Sequence, residues 1–193
     1  MTPRAPWDSS ALRARIAKLP SRRLTTLGGR RLGGKILAGK ALAATLWASA
    51  LIALATSAQA APVTSHEPTS VSAALLEGGY KAKVSTNDEG DPKIDTASGG
   101  NDIILYFSGC TGNKSCDQIE FLAVWDCSDS MKKCANLHVK WNQEELFSKT
   151  IIVDKSIVLY RHLLFDKAGI SSELFLKNLE LFSEDATGLM AKF

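Results

Sequence analysis

Residues 101–126 read NDIILYFSGCTGNKSCDQIEFLAVWD, and they restrict the architecture more than any other part of the chain. The apolar run Ile103–Phe107 is typical of a strand that is covered on both faces. Apolar side chains then recur at alternate positions from Ile119 to Trp125, which predicts a second strand with one apolar face. The intervening Thr111–Ser115 has the composition of a turn, so an antiparallel hairpin is expected. Its two predicted strands are Asp102–Gly109 and Gln118–Asp126.

Four cysteines flank the two ends of the second strand, at Cys110, Cys116, Cys127 and Cys134. In the predicted hairpin, Cys110 faces Cys116 at the tip, while Cys127 lies roughly 35 Å from Cys116 at about 3.3 Å per residue. A disulfide needs Cα atoms within about 7 Å of each other, so the pairs 110–116 and 127–134 are predicted and the crossed pairs are excluded. A zinc site is the alternative, but the spacings C-x5-C and C-x6-C are wider than those of zinc ribbons. A C-x-x-C redox motif is absent from the sequence.

Strands and helices are also predicted on both sides of the hairpin, from the periodicity of their apolar residues. Ser70 and Ser171 are suitable N-caps for the first and the last helix. The predicted elements are a helix over Val71–Glu77, strands over Tyr80–Ser85, Lys93–Thr96, Ile151–Val153 and Ser156–Phe165, and a final helix after Ser171.

Residues 135–149 fit two interpretations. Leu137, Val139 and Trp141 alternate as in a strand, and Asn142–Glu145 would then resemble a capping box that opens a helix. Alternatively the whole segment is helical, with Leu137 and Trp141 stacked along one side.

The first sixty residues differ in charge from the rest of the chain. Residues 1–60 hold ten Lys and Arg and one acid, a net charge of +9, whereas residues 61–193 hold thirteen Lys and Arg and nineteen acids, a net charge of −6. The basic flank, the uncharged apolar run 41–55 and the sequence Ala58-Gln59-Ala60 predict a signal peptide that is cleaved between Ala60 and Ala61. An uncleaved membrane anchor is the alternative, and the arginine pairs at 22–23 and 30–31 leave both Sec and twin-arginine export open.

Export would place the mature chain in the periplasm of a Gram-negative bacterium or outside the cell, where disulfides persist. We expect a flexible lead-in over residues 61–70, rich in proline and small polar residues, and one domain over 71–193. Its net charge of −6 disfavours binding to nucleic acid or to a membrane after cleavage.

Polar residues of the predicted mature domain form no recognisable catalytic pattern, since G-x-S-x-G and H-E-x-x-H are both absent. His138, His162 and Arg161 are the best candidates, but neighbours on a strand point to opposite faces, so Arg161 and His162 would not share a site. We therefore predict no catalytic, cofactor-binding or metal-binding residue. Trp125 and Trp141 are candidate partner contacts, with burial as the alternative. The predicted core consists of Ile103, Leu105, Phe107, Phe121, Leu159, Leu163, Leu174, Leu179 and Phe182.

Several short sequence motifs occur one after another along the predicted elements. These elements are, in order, a helix, four strands, a helix, two strands and a helix. The motifs are Leu75–Tyr80, Asp88–Ile94, Tyr106–Cys110 with Cys116, Ile119–Phe121, Trp141-Asn142 ahead of Phe147, and Ile170-Ser171. In this order they resemble the YbjN domain family, bacterial proteins described as sensory transduction regulators, over about 110 of the 133 residues that follow residue 60.

The resemblance implies an α+β fold like that of type III secretion chaperones, with a curved antiparallel sheet of about five or six strands packed by three helices. It also implies a helix over residues 136–148 and no catalytic residues. The function it implies is that of a regulatory module that binds a protein or peptide partner through its sheet, without an enzymatic activity. A small secreted inhibitor of a hydrolase, acting through a loop pinned by the 127–134 disulfide, is the alternative. The sequence identifies neither the partner nor the oligomeric state.

Overall fold

The computed structural model describes residues 61–164 and 167–193. The predicted signal peptide over residues 1–60, including Ala60 at the cleavage site, lies outside the described residues, and Ala61 is the first of them. The elements in chain order are α1 (Pro68–Glu77), β1 (Lys83–Thr86), β2 (Pro92–Ser98), β3 (Asn101–Ser108), β4 (Gln118–Asp126), α2 (Met131–Glu144), β5 (Lys149–Val153), β6 (Ser156–Leu164) and α3 (Ser172–Ala191).

All six strands of the described residues belong to one antiparallel sheet, in the order β1-β2-β3-β4-β6-β5. The predicted hairpin of β3 and β4 forms its centre, with Leu105 opposite Phe121. Helix α2 carries the chain from β4 to the edge strand β5, and β6 then returns between them. The sheet does not close, because β1 and β5 lie at opposite edges. These findings confirm the predicted α+β class, the number of strands and the three helices, while the likeness to secretion chaperones stays a prediction.

The helices cover one face of the sheet, which we call the inner face. Because side chains alternate along a strand, Phe121 and Trp125 of β4 point to this face. The Phe121 ring lies 6.1 Å from that of Phe175 and 5.6 Å from that of Phe182, both on α3. Burying a side chain of this size stabilises the fold by about 1.5–3 kcal/mol, so this layer is the main core. Leu174, predicted for the core, is instead 51% exposed.

The opposite, outer face carries a second apolar cluster, formed by Tyr106, Leu122, Val153 and Val158. Partly buried side chains of neighbouring strands, such as Ile151 and Tyr160, pack against it. Within the described ranges this cluster contains strand residues only, whereas the main core joins strands to helices.

Residues 61–70 differ from the predicted flexible lead-in, because they are attached to the domain. Val63 is fully buried and exchanges two backbone hydrogen bonds of 2.8 and 2.9 Å with Ile170. The Ser65 hydroxyl donates to the carbonyl of Cys116 at 2.6 Å. Helix α1 begins at Pro68, where a proline costs no hydrogen bond because the first helical N–H groups have no partner in the helix.

Both disulfides are present with the predicted pairing. The Cα atoms of Cys110 and Cys116 lie 3.8 Å apart, and those of Cys127 and Cys134 lie 6.2 Å apart. The first bond closes the connection between β3 and β4, and the second joins the end of β4 to the first turn of α2. Each closes a short loop and so restricts the ends of elements that the core already holds.

The two ends of the ambiguous segment 135–149 fold differently. Residues up to Glu144 belong to α2, which confirms a helix here, but Glu145 is extended and residues 145–148 form a loop rather than its last turn. Asn142 does not open a second helix. Its side chain instead accepts from the Thr150 N–H at 2.8 Å and donates to the Thr150 carbonyl at 2.9 Å, which fixes β5 against α2.

Candidate functional site

The two tryptophans that the sequence offered as partner contacts, Trp125 and Trp141, are buried. Trp125 is 7% exposed on the inner face of β4, and Trp141 is 2% exposed on the side of α2 that faces the core. Leu137, one turn before Trp141, is buried on the same side, as the spacing of four residues requires. The prediction that these side chains form exposed contacts is therefore corrected, and burial in the core is the observed alternative.

His138 takes part in the attachment of α2 to β5. Its Nδ1 lies 3.0 Å from the Thr150 hydroxyl and 3.2 Å from Nδ2 of Asn142. Thr150 belongs to β5 and Asn142 binds the backbone of Thr150, so these contacts give His138 a structural role.

His162 and Arg161 point to opposite faces of the sheet, as predicted. His162 pairs with Glu120 across the outer face, where its Nδ1 lies 3.9 Å from the Glu120 carboxylate. That carboxylate is buried and accepts from the Ser108 hydroxyl at 2.7 Å. Arg161 pairs with Phe121 and lies on the inner face, at its edge.

A pair of exposed apolar residues follows α2. Leu146 and Phe147 are 83% and 70% exposed and lie next to each other in the loop 145–148. The family resemblance implied a helix over residues 136–148, which hid their exposure. No local signal in the sequence could have found them, because the contact between the Asn142 side chain and Thr150 of β5 is a tertiary one.

Arg161 lies under this loop. Its Cζ is 5.6 Å from the centre of the Phe147 ring, and its Nη2 donates to the Asn178 side chain on α3 at 2.8 Å. Asn178 in turn donates to the carbonyl of Leu174 at 2.8 Å. Burial lowers the pKa of the Arg161 guanidinium, and the charge of Asp185 acts in the opposite direction. The guanidinium is therefore held between β6, the loop and α3.

Asp185 lies on α3, seven residues after Asn178 and so on the same side of the helix. Burial raises the pKa of the Asp185 carboxyl. Glu145 and Glu184 raise this pKa further, whereas the Ser148 hydroxyl and the Arg161 guanidinium lower it. The carboxyl therefore faces the loop in an acidic, partly dehydrated environment.

One buried polar atom at this place, Nη1 of Arg161, has no hydrogen-bond partner among the described residues. The buried Ser148 hydroxyl and the Asp185 carboxyl are instead hydrogen-bonded to each other, which is how Ser148 lowers the pKa of Asp185. An unsatisfied buried polar group costs about 1–3 kcal/mol, so native proteins pair such groups with protein atoms, water or a ligand. We call this site the corner, and define it as the loop 145–148 together with Arg161, Asn178 and Asp185. It combines exposed apolar side chains with partly buried charged groups.

A comparison with protein families matches residues 67–193 to "YbjN: Putative bacterial sensory transduction regulator". The chain belongs to the YbjN family. The matched range contains α1 to α3, the whole sheet and the corner. The family is described as one of regulators, which agrees with the regulatory role that the resemblance implied.

One similar solved structure is an uncharacterized protein from Methanothermobacter thermautotrophicus, with 14% identity and a TM-score of 0.49. The similarity covers 66% of this chain and 94% of that chain. No curated protein matches the sequence.

Within residues 61–164 and 167–193, no three or more His, Cys, Asp or Glu side chains are grouped so that they could hold a metal ion. No helix in the same ranges combines the length and apolar character that crossing a membrane requires.

Proposed function

We propose that this YbjN-family chain is an exported, non-enzymatic regulatory module that binds a protein or peptide partner, and that the corner is the contact surface. The observation that carries this proposal is the exposure of the neighbouring side chains Leu146 and Phe147 at 83% and 70%. Isolated exposed apolar residues are ordinary, but two large ones in one short loop form a patch. Phe147 also contacts Arg161, and aromatic residues and arginine are enriched in protein interfaces.

The outer face of the sheet is a less suitable contact surface than the corner. The expected likeness to secretion chaperones favours the sheet only by analogy of fold, which is a weak argument for function. Leu122 and Val158 at the centre of the outer apolar cluster are buried, whereas the apolar side chains of the corner are exposed.

Export is supported by the basic leader, the apolar run and the small residues that precede Ala61. Two disulfides and no free cysteine in the described ranges are compatible with an oxidising compartment. The polar residues that could have served catalysis have structural partners, since His138 binds Thr150 and Arg161 binds Asn178.

Site-specific cross-linking tests this function. Phe147 is replaced by the photo-reactive p-benzoylphenylalanine in the full chain, expressed in its native host, and Val84 is replaced in the same way as the control. Val84 is 53% exposed on β1, at the edge of the sheet opposite to β5. We expect an adduct with one protein at position 147 in the periplasmic fraction and none at position 84. Absence of an adduct at 147, or equal adducts at both positions, would contradict the proposal.

The inhibitor alternative receives no specific support from the described loop. Residues 131–133 form the first turn of α2, so only Ser128, Asp129 and Ser130 remain between Cys127 and the helix. This short turn offers neither an aromatic residue nor an acidic cluster with which to fill an enzyme's substrate cleft.

A further inference from the structure

We infer that residues 11–19 of the leader cover the outer face of the sheet in the unprocessed chain. The inference goes beyond the proposed function, because it concerns another face of the domain and a segment that cleavage after Ala60 would remove. It starts from two buried side chains, Leu122 and Val158, which are 1% and 0% exposed. Within the described ranges their cluster contains strand residues only, whereas an apolar sheet face needs an element packed on it.

The outer face has an apolar centre with acidic groups around it. The centre consists of Tyr106, Leu122, Val153 and Val158. Because side chains alternate along a strand, the carboxylates of β2, β3 and β4 that share this face are Asp95, Asp102, Glu120 and Asp126. Two lysines share it as well, but Lys93 binds Asp95 at 3.3 Å, and Lys149 donates instead to carbonyl groups at the end of α2. A segment that covers this face therefore has to be apolar along its middle and basic at its sides.

The leader contains such a segment. Residues 11–19 read ALRARIAKL and lie outside the described residues. Their large apolar side chains are four and three positions apart, which is the spacing of one side of an amphipathic helix, at Leu12, Ile16 and Leu19. Arg13 and Arg15 flank this side in the helical pattern, since successive residues are about 100° apart.

The segment and the apolar centre are of similar size. Nine helical residues extend about 14 Å at 1.5 Å per residue. The centre runs from β3 to β5 in the strand order β3-β4-β6-β5, which is three strand spacings and also about 14 Å. One helix across the strands therefore covers the whole cluster, and its flanking arginines reach the surrounding carboxylates.

The leader is a better occupant than a second copy of the domain. Two outer faces would bring their carboxylates together, whereas residues 1–60 carry a net charge of +9 against −6 for residues 61–193. The chain also enters the domain at a fixed point, since Val63 is paired with Ile170. Residues 20–60 connect the segment to this point, so both groups belong to one molecule, and a contact that is weak between separate molecules is populated.

This contact gives the leader a second role besides export. Large exposed apolar patches on soluble proteins lead to association between chains. With residues 11–19 in place, the precursor presents neither Leu122 nor Val158 to other molecules. Cleavage after Ala60 releases the outer face together with the leader.

Photo-cross-linking within the chain tests the inference. Ile16 is replaced by p-benzoylphenylalanine in the full chain, which is purified in unprocessed form with the mass of residues 1–193. After irradiation, peptide mapping should find this probe joined to β3, β4 or β6 of the same molecule, and not to α1 or α3. An equal mixture of isotope-labelled and unlabelled chains separates adducts within one molecule from adducts between two copies.

Matched controls identify the face and the charge. Ala14 is about half a helical turn away from Ile16, so the probe at Ala14 should give about fivefold fewer adducts with the sheet. Asp102→Lys on the outer face should lower the yield of the Ile16 probe by about threefold, as for the loss of a surface ion pair. Glu77→Lys makes the same change of charge on α1, on the other side of the sheet, and should leave the yield unchanged.

The inference is overturned if the probe at Ile16 forms no adduct with β3, β4 or β6, or if the probe at Ala14 reacts equally. Adducts that join two copies would assign the outer face to a dimer and would overturn it as well. Thermal melts show whether the Asp102→Lys chain is folded, and the two probe positions test the contact with an unaltered sheet. The partner cross-link at position 147 is a separate measurement, so either result leaves the proposed function unchanged.

Discussion

Arg161 on β6 and Asn178 on α3 are joined by a hydrogen bond of 2.8 Å, which ties the sheet to the last helix at the edge of the inner face. The same asparagine donates to the carbonyl of Leu174, so both ends of its amide are used. This arrangement fixes the guanidinium below Phe147 and makes Asn178 the support of the corner.

Replacing Asn178 by alanine should lower the free energy of unfolding by about 1–2 kcal/mol, because a partly buried guanidinium loses its acceptor. Urea denaturation measures the change. Lys177→Ala on the same helix is the matched control, since Lys177 is exposed and should alter stability by less than about 0.5 kcal/mol. Equal effects of the two substitutions would show that the Arg161–Asn178 bond does not support the corner.

The stability of the protein should depend on pH through Asp185. Its pKa is raised by burial above the ordinary value of 3.8, so the folded state binds this proton more tightly than the unfolded state does. The contribution to stability is therefore present at low pH, and it is lost as the pH rises from about 3.8 through the folded pKa.

Asp185→Asn removes this dependence. The stability of the variant relative to the wild type should rise with pH through that window and then stay constant. Denaturant melts of both proteins between about pH 4 and about pH 7 measure it, with the exposed Glu77→Gln as the control. A difference that is flat across the window would mean that Asp185 titrates alike in the folded and unfolded states.

The hairpin and the last helix could be predicted because local signals and tertiary structure agree there. The alternation from Ile119 to Trp125 defines the inner face of β4, and Ser171 caps α3 by accepting from the Leu174 N–H at 3.1 Å. The pairing of the cysteines followed from the length of β4 alone. At these places the prediction needed only the periodicity of the apolar residues and the distance that an extended segment spans.

The corner could not be predicted, because it depends on contacts between residues far apart in the sequence. Asn142 resembles a helix start but binds Thr150, which ends α2 and leaves Leu146 and Phe147 exposed. The attachment of the first described residues likewise depends on Val63 pairing with Ile170, more than one hundred positions later. The preference of a short segment for helix or strand carries no information about contacts between residues that are far apart in the sequence.

Removal of the first disulfide should destabilise the domain without unfolding it. The double substitution of Cys110 and Cys116 by serine should cost about 2 kcal/mol, which is the chain-entropy value for a loop of about seven residues. The core beneath it, centred on Phe121, remains.

Non-reducing peptide mapping should recover only the links 110–116 and 127–134 from the wild type. A completely unfolded double variant, or a 110–127 link, would contradict this account of the hairpin.

Cleavage of the leader should leave Ala61 as the first residue of the mature protein. The change from a net charge of +9 over residues 1–60 to −6 over residues 61–193 coincides with the sequence Ala58-Gln59-Ala60, and small residues at these positions suit signal peptidase. The tie between Val63 and Ile170 begins two residues after the proposed cut, so cleavage would remove the leader without disturbing that pairing.

Intact-mass measurement of protein from the periplasmic fraction should give the mass of residues 61–193 with two disulfides. Replacing Ala60 by a bulky residue should block processing, while the same change at Ala55 should not. A mass that includes residues 1–60 in the membrane fraction of the unaltered protein would instead identify the apolar run as an anchor.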